Sequence, residues 1–183
     1  VKIVMRTIAL VIIAAAALFA LQRWCVEPFS CNRVKGRVEP EIVAIAALPD
    51  NIELTIRART MGDQIRKCLE HAPHDVDLHM EAAAVDQILH RPGDAITQYA
   101  EALQYDRRPE LYLNLGLMQY EMGDKQGATQ TLGRSLAFAT YFINYDPKAL
   151  WSGERTMDHI PPDIARAVEG EAARVRQKLL RGQ

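Results

Sequence analysis

Charge of one sign is the first thing this chain lacks. Its 183 residues carry 22 Lys plus Arg against 23 Asp plus Glu, a formal net charge of −1. Beyond residue 7 the balance is 20 against 23. Nucleic acid is held by dense basic surface, so no nucleic-acid partner is expected. Catalytic signatures are missing as well: there is no Cys-x-x-Cys, no phosphate-binding glycine loop and no serine elbow. His71, His74, Asp75, Asp77 and His79 stand close together, but no two histidines fall four apart on one helix beside a third ligand, as zinc wants. His74 and Asp75 fall at a turn, and Asp75 or Asp77 suits a helix cap. Ser135 and His159 have no evident catalytic partner. No catalytic residue, metal site or cofactor is therefore expected, and binding is the default over an enzyme.

Cysteine is scarce, with three in the chain. Cys25 and Cys31 lie close together in what reads as loop sequence able to bend and bridge them. A Cys25–Cys31 disulfide requires an oxidising compartment; the alternative is two unrelated thiols. Cys68 reads as a packing residue. Gln22-Arg23-Trp24 stand before Cys25 where a lipoprotein signal needs small residues.

Only one long hydrophobic run occurs. Residues 7–22, TIALVIIAAAALFALQ, contain no charge and follow Lys2 and Arg6. Sixteen residues of helix reach about 24 Å against a hydrocarbon core of roughly 30 Å. Arg6 and Arg23 can snorkel, and Trp24 suits the interface, so the segment just spans a bilayer as an uncleaved anchor. A cleaved signal peptide and a buried helix are the alternatives. Positive charge alone favours placing the soluble part inside, because Arg23, Arg33, Lys35 and Arg37 follow the segment. The short basic head and the cysteines favour export, so the expected location is a bacterial inner membrane, single-pass, with the soluble part in the periplasm.

What is present is a repeat. Residues 76–105 and 109–138 match at an offset of 33, with Ala83 on Gly116, Ala95 on Ala128, Tyr99 on Leu132, Ala102 on Ser135 and Leu103 on Leu136. A period of this length with two helical segments per unit is the mark of a helical solenoid. Helices are expected near 77–90, 94–106, 109–122 and 125–141. Gly123 and Asp124 supply a turn and a cap, Asp94 is the candidate cap of the earlier unit, and Pro109 suits a first helical position. An ordinary helical bundle is the bland alternative.

The run Leu115-Gly116, Gly123-Asp124, Ala128, Leu132 and Ser135-Leu136 resembles the tetratricopeptide repeat family. Ile65, Cys68-Leu69 and Pro73 are similar to the second helix of an earlier unit, whose first helix is degenerate at Pro49. The expected fold is all-α: a short tetratricopeptide-type solenoid of about two repeats, with a preceding half repeat and a C-terminal capping helix, behind one transmembrane helix. The expected boundaries are the anchor at 1–22, a linker at 23–40, repeats at 41–142, an aromatic loop at 143–161 and the cap at 162–183. Ile164, Val168, Ala172, Val175 and Leu179 give that last helix one apolar face; a docking helix for another protein is the alternative.

The resemblance implies a concave groove lined by the first helix of each unit. Met80, Ala84, Gln87 and Ile88 face it from one repeat; Leu113, Leu117, Tyr120 and Glu121 face it from the next. Such a groove suits an extended or helical peptide. Met80 and Ala84 occupy positions where chaperone-tail binders carry Lys and Asn, so that ligand is not expected. The alternative is a groove partly filled by the chain's own flanking segments. The expected partners are other proteins, of a membrane or envelope, with the lipid bilayer met through residues 7–22. An anchored adaptor, a structural subunit of a larger membrane complex, and an enzyme with an unseen site remain as function classes.

Overall fold

In the computed structural model, residues 12–20, 22, 27–48, 52–145 and 160–181 are described. Every regular element among them is a helix. The chain divides into two units, Val1–Pro73 and His74–Gln183.

The first unit opens with α1, residues 12–20, whose Ile12, Ile13, Leu18 and Phe19 are between 62% and 72% exposed. Residues 7–11 and 21 of the expected anchor lie outside the described residues. Among the described helices, none is long and apolar enough to cross a membrane.

Helix α2 covers Glu27–Ala46 and α3 covers Ile52–Leu69. The expected linker at 23–40 is therefore corrected: it is helical from Glu27 onward, with Pro40 inside the helix. Residues 41–46 are the last turns of α2 rather than a separate short helix. The physical reason is a pattern that Pro40 and Gly36 conceal. Cys31, Val38 and Ile45 recur every seven residues, two helical turns apart, and all three are buried. On α3 the buried side chains of Leu54, Ala58, Met61, Ile65 and Cys68 recur at steps of three and four, with Gly62 buried beside Met61. The two helices pack as a hairpin.

That hairpin is stapled at its open end. Cys31, near the start of α2, is bonded to Cys68, in the last turn of α3, with Cα atoms 5.5 Å apart. This corrects the expected Cys25–Cys31 bridge: the helix carries Cys31 toward α3, and Cys25 lies outside the described residues. Cys68 is buried, as a packing residue would be, and covalently bonded as well. Closing a loop of 37 residues is worth about 4 kcal/mol of chain entropy.

The second unit holds α4 (Val76–Ile88), α5 (Pro92–Tyr105), α6 (Pro109–Glu121), α7 (Lys125–Tyr145) and α8 (Ala165–Leu180). Asp75 caps α4, accepting from the Leu78 N–H at 3.1 Å. Asp124 caps α7, accepting from the Gly127 N–H at 2.9 Å. Asp94 is not the cap of α5; that helix begins two residues earlier, at Pro92, and Asp94 sits in its first turn. Starting at proline costs α5 and α6 nothing, because the first amide has no partner in any helix.

The short connections make α4 and α5, and α6 and α7, packed helical hairpins. Their turns are the same structure. In the first, Arg91 N–H donates to Asp86 O at 2.8 Å and His90 N–H to Gln87 O at 2.9 Å. In the second, Asp124 N–H donates to Gln119 O and Gly123 N–H to Tyr120 O, both at 2.9 Å. Every partner is shifted by 33 residues. Such a turn needs a left-handed residue just past the helix. Gly123 fills it at φ 84° and His90 fills it at φ 55°.

Small residues set the helix approaches. A Cβ on Gly116 would lie 2.6 Å from Leu132 Cγ, so α6 and α7 close only over glycine. A Cβ on Gly133 would lie 2.7 Å from Glu171 Cβ, so α8 seats against α7 in the same manner. Two cores result. One gathers Ala83, Ala95, Tyr99, Ala102, Leu111, Leu115 and Met118. The other gathers Leu113, Ala128, Leu132, Leu136 and Ala137 with Ile160, Ile164, Val168 and Ala172 of the C-terminal segment. The apolar face of α8 thus covers α7. Residues 146–159 of the expected aromatic loop lie outside the described residues; its residues 143–145 belong to α7.

Candidate binding site

The eight residues expected to line a groove do not form one open surface. Met80 is half-buried against the first core. Gln87 turns toward α5, donating from Nε2 to the Tyr99 hydroxyl at 2.9 Å. Ala84 and Ile88 are half-buried and Glu121 is exposed. In the second hairpin the departure is larger. Leu113 is buried, and Leu117 and Tyr120 pack against the core that includes Ile160, Ile164 and Val168. The Tyr120 hydroxyl donates to Asp163 Oδ1 at 2.7 Å, and Lys125 Nζ reaches Asp163 Oδ2 at 2.6 Å. The chain's own C-terminal segment occupies this side, because its apolar residues find there the layer that Leu113 and Leu117 leave uncovered. Changing Leu117 and Tyr120 therefore disturbs packing rather than an open groove alone.

The clamp on Asp163 is electrostatic. Lys125 and Tyr120 hold its carboxyl below the usual carboxylate range. In return Asp163 raises both Lys125 and Tyr120.

The histidine and aspartate cluster is accounted for by structure. His79 is buried, with Nδ1 2.8 Å from Gln98 Oε1. Asp77 accepts from Arg108 at 2.8 Å. The His74 ring lies 4.5 Å from that of Tyr105, tilted. Among the described residues, no three side chains of ligand type come together.

One open feature of the second unit lies where α5, α7 and the C-terminal half of α8 diverge. It is a cleft of about 490 Å³. Tyr112 and Phe138 stack along it, ring centroids 5.4 Å apart and planes 11° from parallel. Leu103 and Val175 extend the apolar wall. Arg107, Arg134 and Lys178 stand around it, all exposed, and none makes an ion pair among the described residues. Glu171 is the acidic member, and Arg174 already pairs with it at 3.2 Å.

No family model, no curated protein and no solved structure matches this chain. The cleft is accordingly read from its own chemistry. Sequence reasoning missed it because its cations come from three separate elements, each ordinary by itself. One signal was available. The 33-residue register aligns Tyr112 with His79, so one helical position holds a buried polar ring in the first hairpin and a stacking phenol in the second.

Proposed function

We propose that the chain is a non-enzymatic adaptor of tetratricopeptide type, holding a partner protein on its second unit and tethered to a bacterial inner membrane through residues 7–22. The observation that carries this reading is the repeated turn: two hairpins with identical hydrogen-bond partners at one 33-residue shift, sealed by a C-terminal helix. Stacking hairpins with a covered end is how helical repeats build a binding surface without a catalytic centre. The Cys31–Cys68 staple supports placing the soluble part in an oxidising compartment, the periplasm.

A second reading, a structural subunit of a membrane complex, is favoured by one observation. Val43, Ile52 and Ile56 on the first unit are 66%, 79% and 58% exposed, an apolar set available to partner helices. Sizing the full chain in mild detergent, after extraction from native membranes, separates the two. A monomer that reversibly recruits a second protein supports the adaptor. A particle of fixed stoichiometry supports the subunit. A monomer that neither recruits nor assembles sinks both.

A further inference from the structure

We infer that the cleft between α5, α7 and α8 is the docking site for an acidic peptide segment of the partner, one carrying an apolar side chain between carboxylates. This rests on the adaptor reading above and names the chemistry of what that adaptor holds. The second unit as a whole is acidic, with 16 Asp plus Glu against 12 Lys plus Arg over residues 74–183. Against that background three cations converge on one cleft from three elements: Arg107 after α5, Arg134 on α7 and Lys178 on α8.

The contrast with the neighbouring arginine is direct. Arg108 lies within 4.0 Å of Asp77, Asp106 and Glu110. Arg107, one residue away, has no such partner among the described residues and lines the cleft. Charges left unpaired around a recess attract an oppositely charged ligand and reject like-charged ones, while the net acidic balance of the rest of the unit disfavours the same ligand away from the recess. That pairing of attraction and repulsion fixes where an acidic segment lands.

The wall decides the rest of the ligand. Phe138, stacked on the buried Tyr112, gives the recess an apolar wall with Leu103 and Val175, which an aliphatic side chain covers and a bare anion does not. Amphipathic clefts of this kind seat a peptide by an apolar anchor with polar groups at the rim. A bilayer surface offers anionic headgroups but no side chain to enter the recess, so the peptide is favoured over lipid.

The test uses the full chain in mild nonionic detergent and a fluorescein-labelled peptide, Glu-Asp-Leu-Glu-Asp, read by anisotropy. Binding is expected at low salt and is expected to weaken steeply with added chloride, because the contacts are exposed. Arg107→Glu, Arg134→Glu and Lys178→Glu should each weaken it about tenfold. The neutral variants Arg134→Gln and Lys178→Gln should weaken it less, with unchanged melting of all five chains as the folding control. A Gly-substituted peptide lacking the leucine should bind more weakly than the parent.

Equal binding of a lysine-for-acid peptide, or wild-type affinity in all three reversals, overturns the proposal. So does complete displacement by inorganic phosphate at matched ionic strength, which makes the cleft a plain anion site. Displacement by short-chain phosphatidylglycerol but not phosphatidylcholine overturns it in favour of lipid. Self-association that the reversals abolish assigns the cleft to a second copy instead. If the peptide fails while native membranes still yield a reversibly recruited protein, the adaptor reading stands and only the acidic ligand falls. If both fail, both fall.

Discussion

The hairpin of α4 and α5 and the hairpin of α6 and α7 share one backbone plan and differ in what they place inside it. At the position where the second hairpin buries Leu132, the first buries Tyr99, whose hydroxyl accepts from Gln87 and is bonded by the Asn114 side chain. Where the first hairpin buries His79 against Gln98, the second has Tyr112 against Phe138. A buried polar network holds only while every member is satisfied, whereas an apolar layer holds in proportion to its area. The turn chemistry repeats and the core does not. The register therefore specifies where helices meet, and the side chains at the meeting points specify what each pair can tolerate.

Deleting the apolar centre should show the largest effect. Leu132→Ala is expected to cost about 2–5 kcal/mol, since the side chain is fully buried under α6 and the C-terminal segment. Tyr99→Phe, at the matching position, should cost about 1–2 kcal/mol, because the ring volume stays and the hydroxyl's bonds to Gln87 and Asn114 go. Urea denaturation of both variants measures the pair; equal losses would remove the distinction between the two cores.

Alkaline pH should separate them next. Burial pushes the Tyr99 hydroxyl up to about 12, offset in part by its bonds to Gln87 and Asn114. An unfolded tyrosine ionises near 10, so the folded hairpin prefers the neutral phenol. That preference is fully present below about pH 10 and is withdrawn as pH rises toward 12, on the order of 2–3 kcal/mol in all. Hydrogen exchange in α4 and α5 should accelerate over this range before exchange in α6 and α7, and Tyr99→Phe should abolish the difference.

The turns offer a smaller and reciprocal test. His90 sits in the left-handed region at φ 55° and Gly123 at φ 84°. A side chain there costs about 1–2 kcal/mol per residue and glycine costs nothing. His90→Gly should raise the melting temperature and Gly123→His should lower it, each by an amount near 1 kcal/mol. A fall with His90→Gly would mean that the His90 side chain makes contacts outweighing its backbone conformation.

The smallest effect belongs to the clamp at Asp163. Its carboxyl is held below the ordinary range by Lys125 and Tyr120. The contribution is thus present above about pH 4 and lost as pH falls through the lowered value. All three groups face solvent, so salt screens the clamp. Limited proteolysis ahead of α8 should quicken in Asp163→Asn, and 1 M chloride should produce the same change in the wild-type chain. A variant as resistant as wild type would leave the apolar face of α8 as the sole attachment.

Much of this was legible in the sequence, for a physical reason. The four helices within 76–141 follow from the 33-residue register, because small residues such as Ala83 and Gly116 must recur wherever two helices touch, whereas the extension of α7 to Tyr145 does not. Gly116 stands at one of those small positions, and the structure adds that its neighbour is Leu132. Helix α2 was not legible: Gly36 and Pro40 suggest a linker, and the seven-residue spacing of Cys31, Val38 and Ile45 is sparse beside them. The Cys31–Cys68 pairing depends on two helices running side by side, which no local spacing reveals. Leu113 and Tyr120 were assigned to a groove because the family places such residues there. The C-terminal segment that covers them reaches back across more than forty residues, as Tyr120 and Asp163 show, and local pattern is blind to such a return.

The staple between Cys31 and Cys68 also determines how the molecule carries a pull. Traction applied from the N-terminal side enters α2 and meets Cys31 near its start. There the covalent bond passes it straight to the last turn of α3, so the intervening residues are out of the line of force. With the bond intact, stretching cannot pay out the roughly 120 Å of slack that those residues hold when extended. Reduction would turn a stiff coupling into a long, yielding one without altering a single surface residue.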